Sequence, residues 1–370
     1  MERILNIATL PEWHLFPEGQ PLVIAGPCSA ESEIQIMETA RRIKPLGINV
    51  FRAGIWKPRT HPNTFEGVGT PGLKWMQRVK NDLGMKICTE VATPKHVFDC
   101  VKYGVDMVWI GARTTANPFL VQEIADSLQG VDIPVLVKNP VSPDLDLWIG
   151  ALERLNQAGV KKLGVIHRGC STSEKIPYRN SPEWQIAIEL RSRYPALPFF
   201  CDPSHMGGER KYIGEISQRS LDLGLDGLMI ESHCDPSCAM SDARQQLTPE
   251  DLRSMLAKLV VRNIDSDSPE YKENIDQLRA KIDVIDENIL YILSSRMKIS
   301  RQIGEYKKMN NIAILQTARW DSILEKVTAK GAEYGLSEKF VTTLFNAIHE
   351  ASVEEQNSIL EFGEGHQEEK

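Results

Sequence analysis

Between about Pro21 and Val261 the chain alternates short apolar, β-branched runs with longer amphipathic stretches. The runs are Leu22–Ala25, Asn49–Ala53, Met85–Glu90, Met107–Gly111, Pro134–Lys138, Leu163–Arg168, Pro198–Asp202 and Gly227–Glu231. Continuous apolar runs of this length predict strands buried on both faces, as in a parallel sheet. Each is followed by enough chain for a helix. Eight strand–helix units in about 240 residues is the arithmetic of a closed (β/α)8 TIM barrel. An open doubly wound sheet is the alternative, but no Gly-rich dinucleotide turn follows the first run.

The last barrel helix starts at Thr248 as N-cap with Pro249 in its first turn, and is expected to end near Val261. Asn263–Pro269 (NIDSDSP) is polar and turn-forming, and Ser268 caps a new helical start. Ile275, Leu278, Ile282, Ile285, Ile289 and Ile292 then recur at steps of three and four, one face of a helix running to about Lys308. A helix that long in so small a domain lacks a local core along its whole length. It calls for a partner, most simply a second copy. Two shorter helices are expected over Ala313–Lys330 and Ser337–Glu361, separated by a break at Gly331–Gly335. The predicted plan is a barrel over 1–262, a linker over 263–269 and an all-α three-helix domain over 270–370.

Composition adds limits. Of 370 residues, 42% are hydrophobic and 25% charged, an ordinary globular balance for a chain of two or three domains. The net charge of -7 argues against nucleic acid or an anionic membrane as a main partner. Phosphorylated ligands would then need a local basic pocket. No apolar run is long enough to span a bilayer, and the N-terminus lacks a secretory pattern. Seven cysteines at irregular spacing do not form a disulfide framework, so the cytoplasm is the expected compartment.

In a barrel of this kind, side chains at the C-terminal strand ends converge on one mouth. Those ends read Cys28, Arg52, Glu90, Arg113, Lys138, Arg168, His205 and Glu231. Two sets separate. Arg52, Lys57, Arg59, Arg113, Lys138 and Arg168 are cations in an acidic protein, suited to one or two small phosphorylated anions. Any one of them alone reads as surface charge; the set does not. Cys28, His205, Glu231 and Asp242 form a mixed soft and hard donor set, suited to Mn, Fe, Co or Zn rather than Mg or Ca. A metal beside an anion pocket points to Lewis-acid activation of a carbonyl.

The segments Gly26–Ser29 (GPCS), Lys57–Thr60 (KPRT), Ile110–Arg113 (IGAR), Arg168–Gly169, Asp202–His205 (DPSH) and Glu231–His233 (ESH) resemble the 3-deoxy-D-arabino-heptulosonate 7-phosphate synthases, in the family's order across residues 20–262. The likeness is to the short subfamily without a large N-terminal regulatory extension. It implies that Cys28, His205, Glu231 and Asp242 bind one divalent metal. Arg113, Lys138 and Arg168 would hold phosphoenolpyruvate, with backbone N–H groups of Ala112 and Arg113 on its phosphate and Arg52 and Lys57 on its carboxylate side. Lys57, Pro58, Arg59 and Thr60 would contact erythrose 4-phosphate, with Lys57 as proton donor to the new hydroxyl. The related synthase of 3-deoxy-D-manno-octulosonate 8-phosphate shares the barrel but typically has Lys-Ala-Asn where this chain has Lys57–Thr60. Arg59 offers a fork for the phosphate of a four-carbon sugar.

The helical region carries its own candidates. Arg296 and Lys307, eleven residues apart, fall within about 20° of one another and roughly 16 Å apart along a helix, so they could bracket a small dianion. Arg279, seventeen residues before Arg296, points about 100° away and could reach only a partner's pocket. Residues 273–360 resemble the all-helical class of chorismate mutase, an intertwined homodimer. The matching residues are Arg279, Arg296, Lys307, Arg319, Ser352 and Gln356, with Lys307 and Gln356 implied as donors to the ether oxygen of chorismate. Gln316 and Trp320 depart from the family, standing where an acidic residue and Glu are common. The resulting expectation is a bifunctional, multidomain shikimate-pathway enzyme acting on small molecules, with prephenate feedback. In the alternative, the helical domain is mainly a chorismate or prephenate sensor and dimerisation module.

Overall fold

A computed structural model describes residues 5–16, 22–57, 64–173, 175–262, 266–315 and 317–361. The chain divides into two compact units, Met1–Ile264 and Asp265–Lys370. In the first, eight parallel strands close in sequence order: β1 (Leu22–Gly26), β2 (Val50–Arg52), β3 (Lys86–Val91), β4 (Met107–Ile110), β5 (Val135–Lys138), β6 (Leu163–His167), β7 (Phe199–Cys201) and β8 (Gly227–Glu231). The closing ladder pairs β1 with β8 from Leu22↔Gly227 to Gly26↔Glu231, which excludes the open sheet.

The helices between strands are α1 (Glu33–Ile43), α2 (Pro71–Leu83), α3 (Pro94–Lys102), short α4 (Ala112–Thr115) with α5 (Pro118–Ser127), and α6 (Leu145–Gln157). They continue with α7 (Trp184–Arg193), short α8 (Pro203–Gly207) with α9 (Arg210–Asp222), and α10 (Pro249–Leu256). Ser32, Thr93, Asp144 and Thr248 each accept a backbone N–H of the first turn, caps of about 1 kcal/mol apiece.

Strand residues alternate between two cores, because successive side chains leave opposite faces of a strand. Ile24, Val50, Cys88, Met107, Trp109, Leu136, Ile166, Phe200 and Met229 fill the barrel interior, where Trp13 and Leu15 pack with them. Ala25, Phe51, Ile87, Val108, Val137 and Val165 face outward into the helical ring. The interior is thus solid with apolar side chains, and polar chemistry is left to the mouth.

Three helix boundaries differ from expectation. α10 ends at Leu256, not near Val261, because the chain tightens into i→i+3 bonds at Lys258 and Leu259 and Val260 N–H turns to Gln218 Oε1. Gly331 does not break a helix.

The second unit holds α11 (Pro269–Met309), α12 (Thr317–Glu333) and α13 (Glu338–Glu361). α12 therefore starts later than Ala313 and runs through Gly331, where an added Cβ would come 2.5 Å from Val341 Cγ2. The glycine serves helix packing there; the turn falls at Gly335, whose φ is +76°. α11 has 41 residues, about 60 Å of helix, capped by Ser268. Toward its C-terminus it packs on α13 through Ser300 and Gly304, while Ile282, Ile285, Ile289 and Ile292, nearer its N-terminus, stay exposed within the unit.

Candidate active sites

At the barrel mouth, Arg52, Lys138 and Glu231 are the last residues of β2, β5 and β8. Cys28, Arg113, Arg168 and His205 instead lie just past their strands, on loops or on α4 and α8, which corrects their placement at the strand ends. Asp202 shows why: its side chain accepts His205 N–H and turns the chain into α8 directly after Cys201.

Cys28, Glu231 and Asp242 each offer a ligand atom within 4.8 Å of the others. Cys28 Sγ donates to Asp242 Oδ2 at 3.3 Å, and Lys57 Nζ donates to Cys28 Sγ at 3.2 Å. Glu231 Oε1 is buried and accepts no hydrogen bond, although Arg52 Nη2 stands 3.2 Å away. His205 stands beside this trio, with Nε2 3.7 Å from Glu231 Oε1 and Nδ1 2.8 Å from Asp202 Oδ2. One sulfur, two carboxylates and a neighbouring imidazole fit a divalent ion of the Mn, Fe, Co and Zn class.

The electrostatics follow from burial. Burial and Glu231 push the Cys28 thiol up to about 12, against the opposing pull of Lys57. At Asp242 burial disfavours ionisation, yet His205 and Arg179 outweigh it and hold the carboxyl well below its usual range. Asp202 is likewise held down against burial by His205 and Lys138. Arg52 and Lys138 both face the Trp109 ring, 4.8 and 5.8 Å from its centroid, and Trp109 Nε1 donates to Glu90 at 3.0 Å.

Above these buried groups opens a cavity of about 500 Å³, whose lining includes Lys57, Ala112, Arg113, Lys138, Arg168 and Arg179. Lys138 Nζ donates to Asp202 Oδ2 at 2.6 Å, and Arg168 Nη1 to Asn180 Oδ1 at 2.8 Å. Gly111 lets α4 approach: a Cβ there would sit 2.2 Å from Glu90 Oε1. Pro58, Arg59 and Thr60 lie outside the described residues. Sequence reasoning missed Asp202, Arg179, Asn180 and Gln245. Asp202 stood inside a quoted segment, whereas Arg179 and Asn180 lie on a loop and Gln245 ends a single 3-10 turn, none of them marked by periodicity.

The helical unit has a cavity of about 240 Å³ lined by Arg296, Lys307, Arg319, Trp320, Ser352 and Gln356 among others. Arg296 Nη1 donates to Ser352 Oγ at 2.5 Å, Lys307 Nζ to Ile314 O at 2.5 Å, and Gln356 Nε2 to Ser300 Oγ at 3.0 Å. Burial lowers the pKa values of Arg296 and Lys307, and Arg319 adds to the effect at Lys307. Trp320 stacks on His349, a residue the sequence did not single out, with centroids 4.0 Å apart and planes at 11°. Arg279 is not among the cavity's described lining; its Nη1 lies 3.6 Å from Asp276 Oδ1. Gln316 lies outside the described residues.

The first unit is thus a (β/α)8 barrel with a cation-lined mouth over a thiol–carboxylate trio, and the second is an all-helical unit with its own cationic cavity. The chain belongs to the DAHP synthetase I family, which matches residues 15–264, and residues 278–357 match chorismate mutase type II. It is 31% identical over 241 residues to a phospho-2-dehydro-3-deoxyheptonate aldolase of Thermotoga maritima, covering 65% of this chain and 69% of the relative. A 2-dehydro-3-deoxyphosphooctonate aldolase of Desulfotalea psychrophila is 29% identical over 270 residues, covering 66% and 91%. The crystal structure of the Thermotoga maritima phospho-2-dehydro-3-deoxyheptonate aldolase (DAHP synthase) superposes with a TM-score of 0.59 at 30% identity, over 65% of this chain and 68% of that one. A truncated 3-deoxy-D-arabino-heptulosonate 7-phosphate synthase from the same organism gives 0.57 at 28% identity, over 70% and 88%. No helix among the described residues is long and apolar enough to cross a membrane.

Proposed function

We propose that the chain is a bifunctional shikimate-pathway enzyme. Its barrel condenses phosphoenolpyruvate with erythrose 4-phosphate, and its helical domain rearranges chorismate to prephenate. The barrel reading is carried by one juxtaposition: the Cys28–Glu231–Asp242 trio beneath a cavity lined by Lys57, Arg113, Lys138 and Arg168.

Arg113, Lys138 and Arg168 hold phosphoenolpyruvate, with the N–H groups of Ala112 and Arg113 on its phosphate. Arg52, buried under the cavity, adds positive field on the carboxylate side beside Lys57. A divalent ion held by Cys28, Glu231 and Asp242 with His205 would supply Lewis-acid polarisation of the aldehyde. The enol carbon attacks that aldehyde carbon, and Lys57 gives a proton to the aldehyde oxygen as it becomes the new hydroxyl. Positive charge develops on the phosphate-bearing carbon of phosphoenolpyruvate; water adds there and loses a proton, and phosphate leaves by cleavage of that carbon's C–O bond. Pro58, Arg59 and Thr60 receive erythrose 4-phosphate. The test is turnover by the metal-stripped full chain reloaded with Mn²⁺, Fe²⁺, Co²⁺ or Zn²⁺. Phosphoenolpyruvate should be consumed with erythrose 4-phosphate and not in the stripped protein; preference for arabinose 5-phosphate would sink the reading.

In the helical domain, Arg296 and Arg319 clamp the two carboxylates of chorismate, with Ser352 beside Arg296. Lys307 and Gln356 donate to the ether oxygen as negative charge grows there, and no nucleophile or metal is required. The exposed isoleucine face of α11 and the outward Arg279 support a homodimer in which Arg279 completes the partner's pocket. Arg296→Ala should abolish chorismate turnover. The sensor reading draws support from the Trp320–His349 stack, an aromatic wall where the family commonly carries Glu. Prephenate binding without chorismate turnover would establish it.

A further inference from the structure

We propose that Arg179 is a positioning residue of the metal centre, fixing the outer oxygens of two ligand carboxylates from the loop that follows β6. The inference rests on reading Cys28, Glu231 and Asp242 as metal ligands. Arg179 Nη1 donates to Asp242 Oδ1 at 2.9 Å and to Gln245 Oε1 at 2.9 Å. Gln245 Nε2 in turn donates to Glu231 Oε2 at 2.7 Å. Each carboxylate is therefore divided. Asp242 turns Oδ2 toward Cys28 Sγ and leaves Oδ1 to Arg179, while Glu231 turns Oε1 toward Arg52 and His205 and leaves Oε2 to Gln245. A carboxylate anchored by one oxygen presents the other in a set direction, the means by which outer partners orient metal ligands.

The anchor is itself firmly mounted. Arg179 N–H bonds to Gly207 O, and Asn180 N–H bonds to Met206 O at 3.1 Å. Asn180 Nδ2 donates to His205 O at 2.6 Å while its Oδ1 accepts from Arg168. Gly208 allows this fit, since a Cβ there would lie 2.5 Å from Arg179 Cβ. Asp242 has a φ of +47°, a conformation few non-glycine residues adopt, so a side-chain tether at this position matters more than usual. An alternative role for a cavity-lining arginine is direct contact with a substrate phosphate. Both contacts use Nη1, which carries two of the five guanidinium N–H donors, and they bind Arg179 to the carboxylate side of the centre; the remaining donors make substrate contact the competing outcome of the test.

The test uses the full chain stripped of metal and titrated with Co²⁺, reading both the dissociation constant and the cobalt–thiolate absorption. Arg179→Gln should weaken Co²⁺ by about 10- to 100-fold and alter the absorption band. Arg179→Lys should recover part of the affinity, and Gln245→Leu, which releases only Glu231, should lose less than Arg179→Gln. At saturating metal, the KM for phosphoenolpyruvate should stay near the parent value. Wild-type Co²⁺ affinity and spectrum in Arg179→Gln, with a raised KM for erythrose 4-phosphate, would overturn the proposal in favour of substrate contact. If Arg179→Gln loses its cooperative melt, unchanged Co²⁺ affinity in both Arg179→Lys and Gln245→Leu overturns it. A parent protein with no thiolate band on Co²⁺ addition would instead sink the metal-centre reading itself.

Discussion

Lys138 and Asp202 are both almost fully buried and 2.6 Å apart, so neither charge has water to fall back on. Removing one partner of such a pair typically costs about 3–5 kcal/mol, because the other is left desolvated and under-paired. Lys138→Met should therefore lower stability in a denaturant melt far more than Arg113→Met, whose side chain is exposed at the same mouth. Equal losses would show that Asp202 finds another partner. His167 makes a second case. Burial lowers its pKa to about 4, against the opposing bond to Pro182 O. The folded state thus holds it neutral while the unfolded chain protonates near 6.5. Its stabilisation is complete above about pH 6.5 and is lost as pH falls toward 4, roughly 3 kcal/mol at 1.36 per unit. His167→Gln should flatten that part of the melting profile; an unchanged slope would assign it to other groups.

At the scale of elements, the α11–α13 contact shapes the helical cavity, since Arg296 and Lys307 come from one helix and Ser352 and Gln356 from the other. Gly304 sets how closely they approach: a Cβ would meet Ile359 at 3.0 Å and Gln356 at 3.1 Å. Gly304→Ala should push Gln356 off its position and cut chorismate turnover by about tenfold, one lost hydrogen bond in the transition state. The helix itself should gain slightly, since Ala is the better helix former. Unchanged turnover with unchanged helicity would mean that Gln356 does not act on the substrate. The elements were legible to different degrees. Strands announced themselves as apolar runs, but Gly331 read as a breaker because periodicity does not tell a turn glycine from one that admits a neighbouring helix. His349 went unnoticed for a similar reason: only the packing of α12 on α13 brings it to Trp320.

For the whole molecule, the division into Met1–Ile264 and Asp265–Lys370 permits a test by truncation. A chain ending at 264 should keep condensation activity while losing chorismate turnover and any inhibition by prephenate. Inhibition that survives the truncation would place the prephenate site in the barrel and remove the sensor reading.

What the sequence determined by itself is whatever repeats or clusters along the chain. The eightfold alternation pointed to a barrel, with closure left to the structure, and the three-and-four spacing pointed to long helices; the short motifs held Cys28, Lys57, Arg168 and Glu231, and Arg52 and Lys138 stood out as cations at strand ends. Only the tertiary structure decided how those groups are held. Asp202 under Lys138 and Arg179 on Asp242 join residues 64 and 63 positions apart, and Gln245 on Glu231 joins residues 14 apart across an irregular stretch. Such polar pairings depend on distance and angle in three dimensions, and no pattern of apolar and polar residues encodes them.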